Sequence, residues 1–220
     1  MIADGAAGGT IALIARASLF KKHVKFRRMT NKLDRAFALI DAANSADPAG
    51  LAELYGKRMS AVLDSFAPGA PEQLKLAARA QHIERWTIPR GSYPEGRIGY
   101  LTWRKDLQKL HARRAGEIMA DSGYGGDEIA RTGSLLRKER LKQDEDTQAL
   151  EDVICLVFLE FEAPPFIAKH DDEKVRDILA KTARKMSARG LEAVARITME
   201  PRLARLLGEA LVPQTLHGRA

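Results

Sequence analysis

Three ionisable side chains sit on apolar stripes of the sequence, where a polar group must be paired or take part in chemistry: His82, His111 and Asp152. His82 follows Ala78 by four residues and Leu74 by eight, so a helix through this region carries all three on one face. His111 follows Leu107 by four, and precedes Ala115 by four and Ile118 by seven. Asp152 precedes Leu156 by four within the most hydrophobic stretch of the chain. Burying its carboxylate unpaired costs several kcal/mol, so it is expected to meet a cation, a histidine or a metal. Two histidines and an aspartate from three helices suit an open site for a divalent metal ion (Mn, Mg, Co or Zn), whose bound water becomes a nucleophile. The competing reading of the same residues is a hydrogen-bonded core network.

A series of cations surrounds these positions. Arg79 and Arg85 flank His82 about one helical turn away on either side, and Arg90, Arg97 and Arg104 follow. Guanidinium forks suit phosphate or carboxylate oxygens, and Lys142, Lys174 and Lys185 add further positive charge. Trp86, Tyr93, Tyr100 and Trp103 offer faces on which a base or sugar can stack. The opposing reading has these aromatics anchoring a loop and the arginines paired with local carboxylates such as Glu84 and Glu95.

The elements that must hold these residues are read from hydrophobic spacing. Leu33, Phe37 and Ile40 mark a helix behind a Thr30 or Asn31 cap, ending at Asn44 to Pro48. A second carries Leu51, Leu54, Tyr55, Met59, Val62 and Phe66 up to Pro68-Gly69, and a third runs from Pro71 to about Trp86. From Trp86 to about Thr102, Pro89, Gly91, Pro94, Gly96 and Gly99 predict a long loop, the first place to look for substrate contacts. Helices follow at Leu107 to Met119, ending before Gly123, and from Asp127 through Leu136. Thr147 to Phe161 is apolar on nearly every side; its length favours a buried helix, with Pro164-Pro165 as terminator. A further helix, Val175 to Met186, stops at Gly190 and precedes a helical tail past Pro201. With no alternating strand pattern and no repeat, the fold class is all-α: one compact multi-helix domain over residues 30–220.

The 220 residues suffice for a real core, and a 45% hydrophobic, 30% charged composition is that of a soluble globular protein. The net charge of +7 is uneven. Residues 1–29 hold Arg16, Lys21, Lys22, Lys25, Arg27 and Arg28 against Asp4 alone, leaving the remainder nearly neutral. That leader is expected to be a short amphipathic helix or a disordered arm, with nucleic-acid contact through it the less favoured reading. Its apolar run, Thr10 to Phe20, precedes its positive cluster, the reverse of a secretory signal, and no stretch supplies a membrane span. A cytoplasmic location is expected. Cys155 is the only cysteine, so no intrachain disulfide forms; within an apolar helix it reads as packing.

The run Gln81-His82-Ile83-Glu84-Arg85-Trp86, Ile88-Pro89-Arg90, Tyr93-Pro94, Gly96-Arg97, Gly99-Tyr100-Leu101 and Trp103-Arg104 resembles the signature of a bacterial and fungal family known only as a domain of unknown function. The resemblance covers about residues 30–210 and includes Leu150 to Val153, Leu156 to Glu160, His170-Asp171 and Lys185 to Ser187. Some members carry a glutamyl-tRNA synthetase label, yet this sequence has no nucleotide-binding Rossmann unit with synthetase-type motifs. More distantly the chain resembles the helical HD phosphohydrolases, whose metal ligands are a histidine, an adjacent His-Asp pair and a late aspartate on a buried helix. That resemblance matches His82 to the histidine of the pair, Asp152 to the last aspartate and His111 to an additional histidine of some members. Ile83 stands at the paired aspartate and Tyr55 at the first histidine, so two of that family's ligands are replaced.

Two functions are consistent with these residues. One is an HD-like, metal-dependent phosphohydrolase of a nucleotide or small phosphorylated metabolite, with His82, His111 and Asp152 holding the ion and Arg79, Arg85, Arg90 and Arg97 neutralising phosphate. The other is a non-catalytic module on the same scaffold that binds an anion, nucleic acid or a protein. No phosphate loop, Rossmann glycine fingerprint, zinc-ribbon cysteine set or serine nucleophile elbow is present.

Overall fold

Apolar residues recurring every three to four positions can be buried only by packing helix on helix, and a computed structural model describing residues 31–211 shows this arrangement. Ten α-helices follow one another among the described residues: α1 Lys32–Asn44, α2 Leu51–Phe66, α3 Glu72–Arg79, α4 Gly96–Ser122, α5 Gly126–Leu136, α6 Glu145–Val157, α7 Ala163–Ile167, α8 Asp172–Ala183, α9 Ala188–Val194 and α10 Pro201–Leu211. No strand occurs among them. The leader, residues 1–29, lies outside the described residues, as does any nucleic-acid contact expected of it.

Capping fixes several of the starts. Asn31 accepts the Leu33 amide at 2.8 Å, Asp144 the Thr147 amide at 2.9 Å and Asp171 the Lys174 amide at 2.8 Å. The short α3 lies at the centre, against α1, α2, α5 and α6. Leu74 and Leu76 of α3, together with Ile83 just beyond it, join Ile40, Met59, Leu63, Met119, Leu135, Leu136 and Leu150 in a core closed to solvent. Each such side chain contributes about 1.5–3 kcal/mol on burial. Helices α8 and α10 pack on each other, and α10 also touches α7.

Four boundaries differ from the spacing-based reading. Helix α3 ends at Arg79 rather than near Trp86, and His82 lies in the turn that follows. The expected long loop is shifted toward the N-terminus: the connection spans residues 80–95, single 3-10 turns occupy Arg85–Thr87 and Arg90–Ser92, and α4 already begins at Gly96. Gly99 permits this, because a Cβ there would lie 2.0 Å from the Pro94 carbonyl oxygen. Pro164 and Pro165 do not end a helix but occupy the first turn of α7, where a missing N–H costs nothing. Their rings would clash with the carbonyls four residues back, and the backbone relaxes into a π-helical turn over Phe158–Glu162. Finally, α8 stops at Ala183, and Gly190 falls inside α9.

Gly99→Ala should drive the loop off the first turn of α4. Urea unfolding is expected to show a loss of about 2 kcal/mol with the slope of the transition unchanged.

Candidate functional site

The turn between α3 and α4 builds one wall of a cavity of about 740 Å³. Glu84 adopts φ 51°, a left-handed conformation that a residue with a Cβ resists. Two helices hold it there: the Asn44 side chain of α1 accepts its amide at 3.1 Å, and Arg114 of α4 grips its carboxylate through two bonds of 2.7 and 2.8 Å. On either side of this clamped residue lie His82 and Arg85, and both line the cavity.

His82 stacks on the Tyr55 ring of α2 with centroids 3.8 Å apart and planes 16° from parallel. Its Nε2 meets Arg85 Nη1 at 3.1 Å. A guanidinium only donates, so Nε2 carries the lone pair and the proton resides on Nδ1. Removal from water, followed by the charge of Arg85, pushes the His82 pKa well below its usual value, so the imidazole is neutral. The Arg85 guanidinium lies over the Trp103 ring, 4.7 Å from its centroid, and the Trp103 indole donates to the Ile88 carbonyl at 2.8 Å.

The opposite wall comes from α2 and the π turn. Arg58, three residues after Tyr55 and therefore on the same helical face, lies over the Phe161 ring at 4.4 Å. The next residue, Glu162, also lines the cavity; burial raises its carboxyl pKa, and the fields of Arg85 and Arg58 partly oppose that rise. Among the described residues Arg58 and Arg85 have no carboxylate within ion-pairing distance, and Glu162 has no hydrogen-bond partner. Arg58, Phe161 and Glu162 did not stand out in the sequence. The signals were the i, i+3 relation to Tyr55 and the proline pair just after Glu162.

His111 lies behind this wall, its ring centroid 6.1 Å from that of His82. It is buried, its Nε2 has no hydrogen-bond partner among the described residues, and burial lowers its pKa to about 3. Near it, Glu151 and Lys138 form a buried ion pair that Lys185 approaches at 3.8 Å. Burial lowers the Lys138 pKa and raises that of Cys155 to about 12, which keeps the thiol protonated, in keeping with its packing role.

Asp152 is elsewhere. It lines a second cavity of about 450 Å³ with Lys142, Gln148, Ser187 and Arg189. Its Oδ1 accepts from the Ser187 amide at 2.8 Å and from Gln148 at 3.1 Å, while Oδ2 accepts the Ser187 hydroxyl at 2.5 Å. Ser187 in turn caps α9 through the Gly190 amide, and a Cβ on Gly190 would lie 2.5 Å from Asp152 Oδ1. The buried carboxylate thus fastens α9 to α6. The expected set of His82, His111 and Asp152 is not assembled, and no group of three or more metal-ligating side chains converges among the described residues.

The other expected anion contacts also divide. Arg85 and Arg90 line the cavity, but Arg90 donates to the Tyr93 and Pro94 carbonyls at 3.0 and 2.9 Å and fastens the loop. Arg79 points away into a bidentate pair with Asp41 at 2.8 and 2.5 Å. The Tyr93 hydroxyl donates to Asp106 at 3.0 Å. Arg97 is exposed at the start of α4, and Lys174 is exposed in the first turn of α8. Arg104 is half-buried beside Tyr100, while Lys142 donates to the Arg184 carbonyl at 3.0 Å. Trp103, with Arg85 on its ring and 8% exposed, has no free face for a base; Trp86 does line the cavity.

Residues 34–207 match the family model described as Domain of unknown function (DUF4202). The chain belongs to that family. No curated protein and no solved structure matches it. Among the described residues no helix is long and apolar enough to cross a membrane.

Because the folded-state pKa of His111 is depressed to about 3, the unfolded chain binds a proton that the native protein refuses below the usual value near 6.5. Stability contributed by neutral His111 is complete above that value and is lost as pH falls toward 3, by up to about 1.4 kcal/mol per pH unit. Urea unfolding between pH 7 and 4 should show this slope, and His111→Leu should reduce it by up to about 1.4 kcal/mol per pH unit, leaving the part that buried, neutral His82 contributes.

Proposed function

We propose that the protein captures a small phosphorylated ligand in the cavity between α2, the α3–α4 turn and the π turn, on a degenerate HD-like helical scaffold. One observation carries this reading: two guanidinium groups, Arg58 and Arg85, line a single cavity, each resting on an aromatic ring and neither neutralised by a carboxylate within ion-pairing distance among the described residues. Stacking occupies the flat face of a guanidinium and leaves its in-plane N–H edge for an incoming anion. A cavity of this volume is of ligand size. His82, neutral and bonded to Arg85, orients that guanidinium, and its Nδ1–H is a further donor.

Calorimetric titration with phenyl phosphate tests the reading. Arg58→Ala and Arg85→Ala should each weaken binding about tenfold. Arg79→Ala should leave affinity unchanged while lowering stability, since its guanidinium serves Asp41. Equal affinity in wild type and both pocket variants overturns the proposal.

Glu162 favours a second reading, hydrolysis of the bound ester. With its carboxyl pKa raised, it is suited to accept the proton of a water attacking phosphorus and return it to the departing alcohol as the ester P–O bond breaks. A divalent ion was the sequence-level expectation for this chemistry, and the separation of Asp152 from both histidines weakens it. Phosphate release from phenyl phosphate, assayed alone and with Mn, Mg, Co or Zn, should fall at least about a hundredfold in Glu162→Gln if Glu162 is the base. Absence of turnover under every condition leaves binding as the function.

A further inference from the structure

The remaining surface of the same cavity narrows the chemistry of the ligand. Besides its charged and titratable groups, the lining consists of Ala49, Leu51, Ala52, Trp86, Ile88, Pro89, Trp103, Phe161 and Pro165, with no asparagine, glutamine, serine or threonine. Two of the charged side chains are already committed. Asp47 accepts the amides of Ala49, Leu51 and Ala52 at 2.9–3.0 Å, and Arg90 is held by carbonyls. A nucleobase or a sugar hydroxyl therefore meets no neutral side-chain amide or aliphatic hydroxyl; apart from Tyr55, the His82 ring and the Glu162 carboxyl, the uncommitted surface its polar groups would face is apolar.

The apolar lining also continues out of the cavity. Leu51 is a lining residue and yet 63% exposed, and Leu54, on the same helix three residues later, is 42% exposed. In the fold they form a greasy lip beside a pocket whose interior holds two unpaired cations.

We infer that the ligand is an amphiphile: a phosphate headgroup between Arg58 and Arg85, and an apolar alkyl, acyl or aryl body that lies along Trp86 and Ile88 and leaves over Leu51. The inference rests on the phosphate-capture reading and adds the class of molecule attached to the phosphate. Nucleotides and sugar phosphates, with polar bodies, are the ligands it disfavours.

The test is a calorimetric series on the full chain with inorganic phosphate, ethyl, butyl and hexyl phosphate, glucose 6-phosphate and AMP. Affinity should rise about fourfold for each methylene buried, and hexyl phosphate should outbind glucose 6-phosphate and AMP. Leu51→Ser, a neutral polar substitution at an exposed first-turn position, should reduce the gain in affinity with chain length. Arg85→Ala should weaken every member alike. A flat response to chain length, or AMP bound more tightly than hexyl phosphate, overturns the inference while Arg85-dependent binding of phosphate keeps the capture reading. If no member of the series binds, both fall together.

Discussion

The contact between Arg85 and His82 governs the site. A guanidinium offers only N–H groups, so at 3.1 Å the facing imidazole nitrogen must present a lone pair, and a protonated ring is excluded. Desolvation and the neighbouring charge act in the same direction. Tyr55, flat against the ring, fixes its plane, and Trp103 fixes that of the guanidinium. To bring both residues to one cavity wall the chain leaves the helix after Arg79 and places Glu84 at φ 51°. That conformation costs about 1–2 kcal/mol for a residue with a Cβ. The bidentate Arg114–Glu84 pair and the Asn44 bond, anchored on α4 and α1, offset it.

Elsewhere the protein settles its charges locally. Arg79, Arg114, Arg131 and Arg202 all reach carboxylates, most of them through two bonds. Exposed pairs of this kind add little stability, but they show that suitable acids are abundant in the sequence. Arg58 and Arg85 differ from these four. Each is half-buried and lies on an aromatic ring, Arg85 has in addition only the neutral His82 ring, and Glu162, whose carboxyl feels both charges, stays beyond ion-pairing range. Arg85 already lies in the repulsive field of Arg104, so an anion seated against it relieves an unfavourable field present in the free protein.

The all-helical class was legible because helical periodicity is long and redundant: α1, α2, α5 and α6 each repeat their apolar stripe over at least three turns. Gly123, with φ 92° past the end of α4, was equally readable. The site was legible in half. Tyr55, His82, His111 and Arg85 do gather, because each lies on or beside an inward stripe. The burial of Asp152 follows from its apolar stripe, but its separation from the histidines does not, since burial by itself does not say which side of a helix meets which cavity. Arg79 and Arg85 looked equivalent around His82 only while α3 was assumed to continue; once the helix ends at Arg79, the two point to different neighbours. The π turn was invisible to a 3.6-residue template, and with it went Phe161 and Glu162.

Three carboxyl groups carried by α6 and the π turn after it illustrate how burial and function separate. Glu151, 3% exposed, is neutralised by Lys138 and approached by Lys185. Asp152, 1% exposed, takes three hydrogen bonds and ties down the start of α9. Both are fully occupied in holding the fold. Glu162, carried past the end of α6 by the turn that the two prolines impose, has neither an ion pair nor a hydrogen bond among the described residues. Its raised pKa expresses that deficit. An anion seated between Arg58 and Arg85 would cancel the two fields that now favour its ionised form, so ligand capture and protonation of Glu162 are thermodynamically linked through the same two guanidinium groups. The carboxyl that the fold leaves unsatisfied among the described residues is therefore the one whose charge state would answer to an anion seated in the cavity.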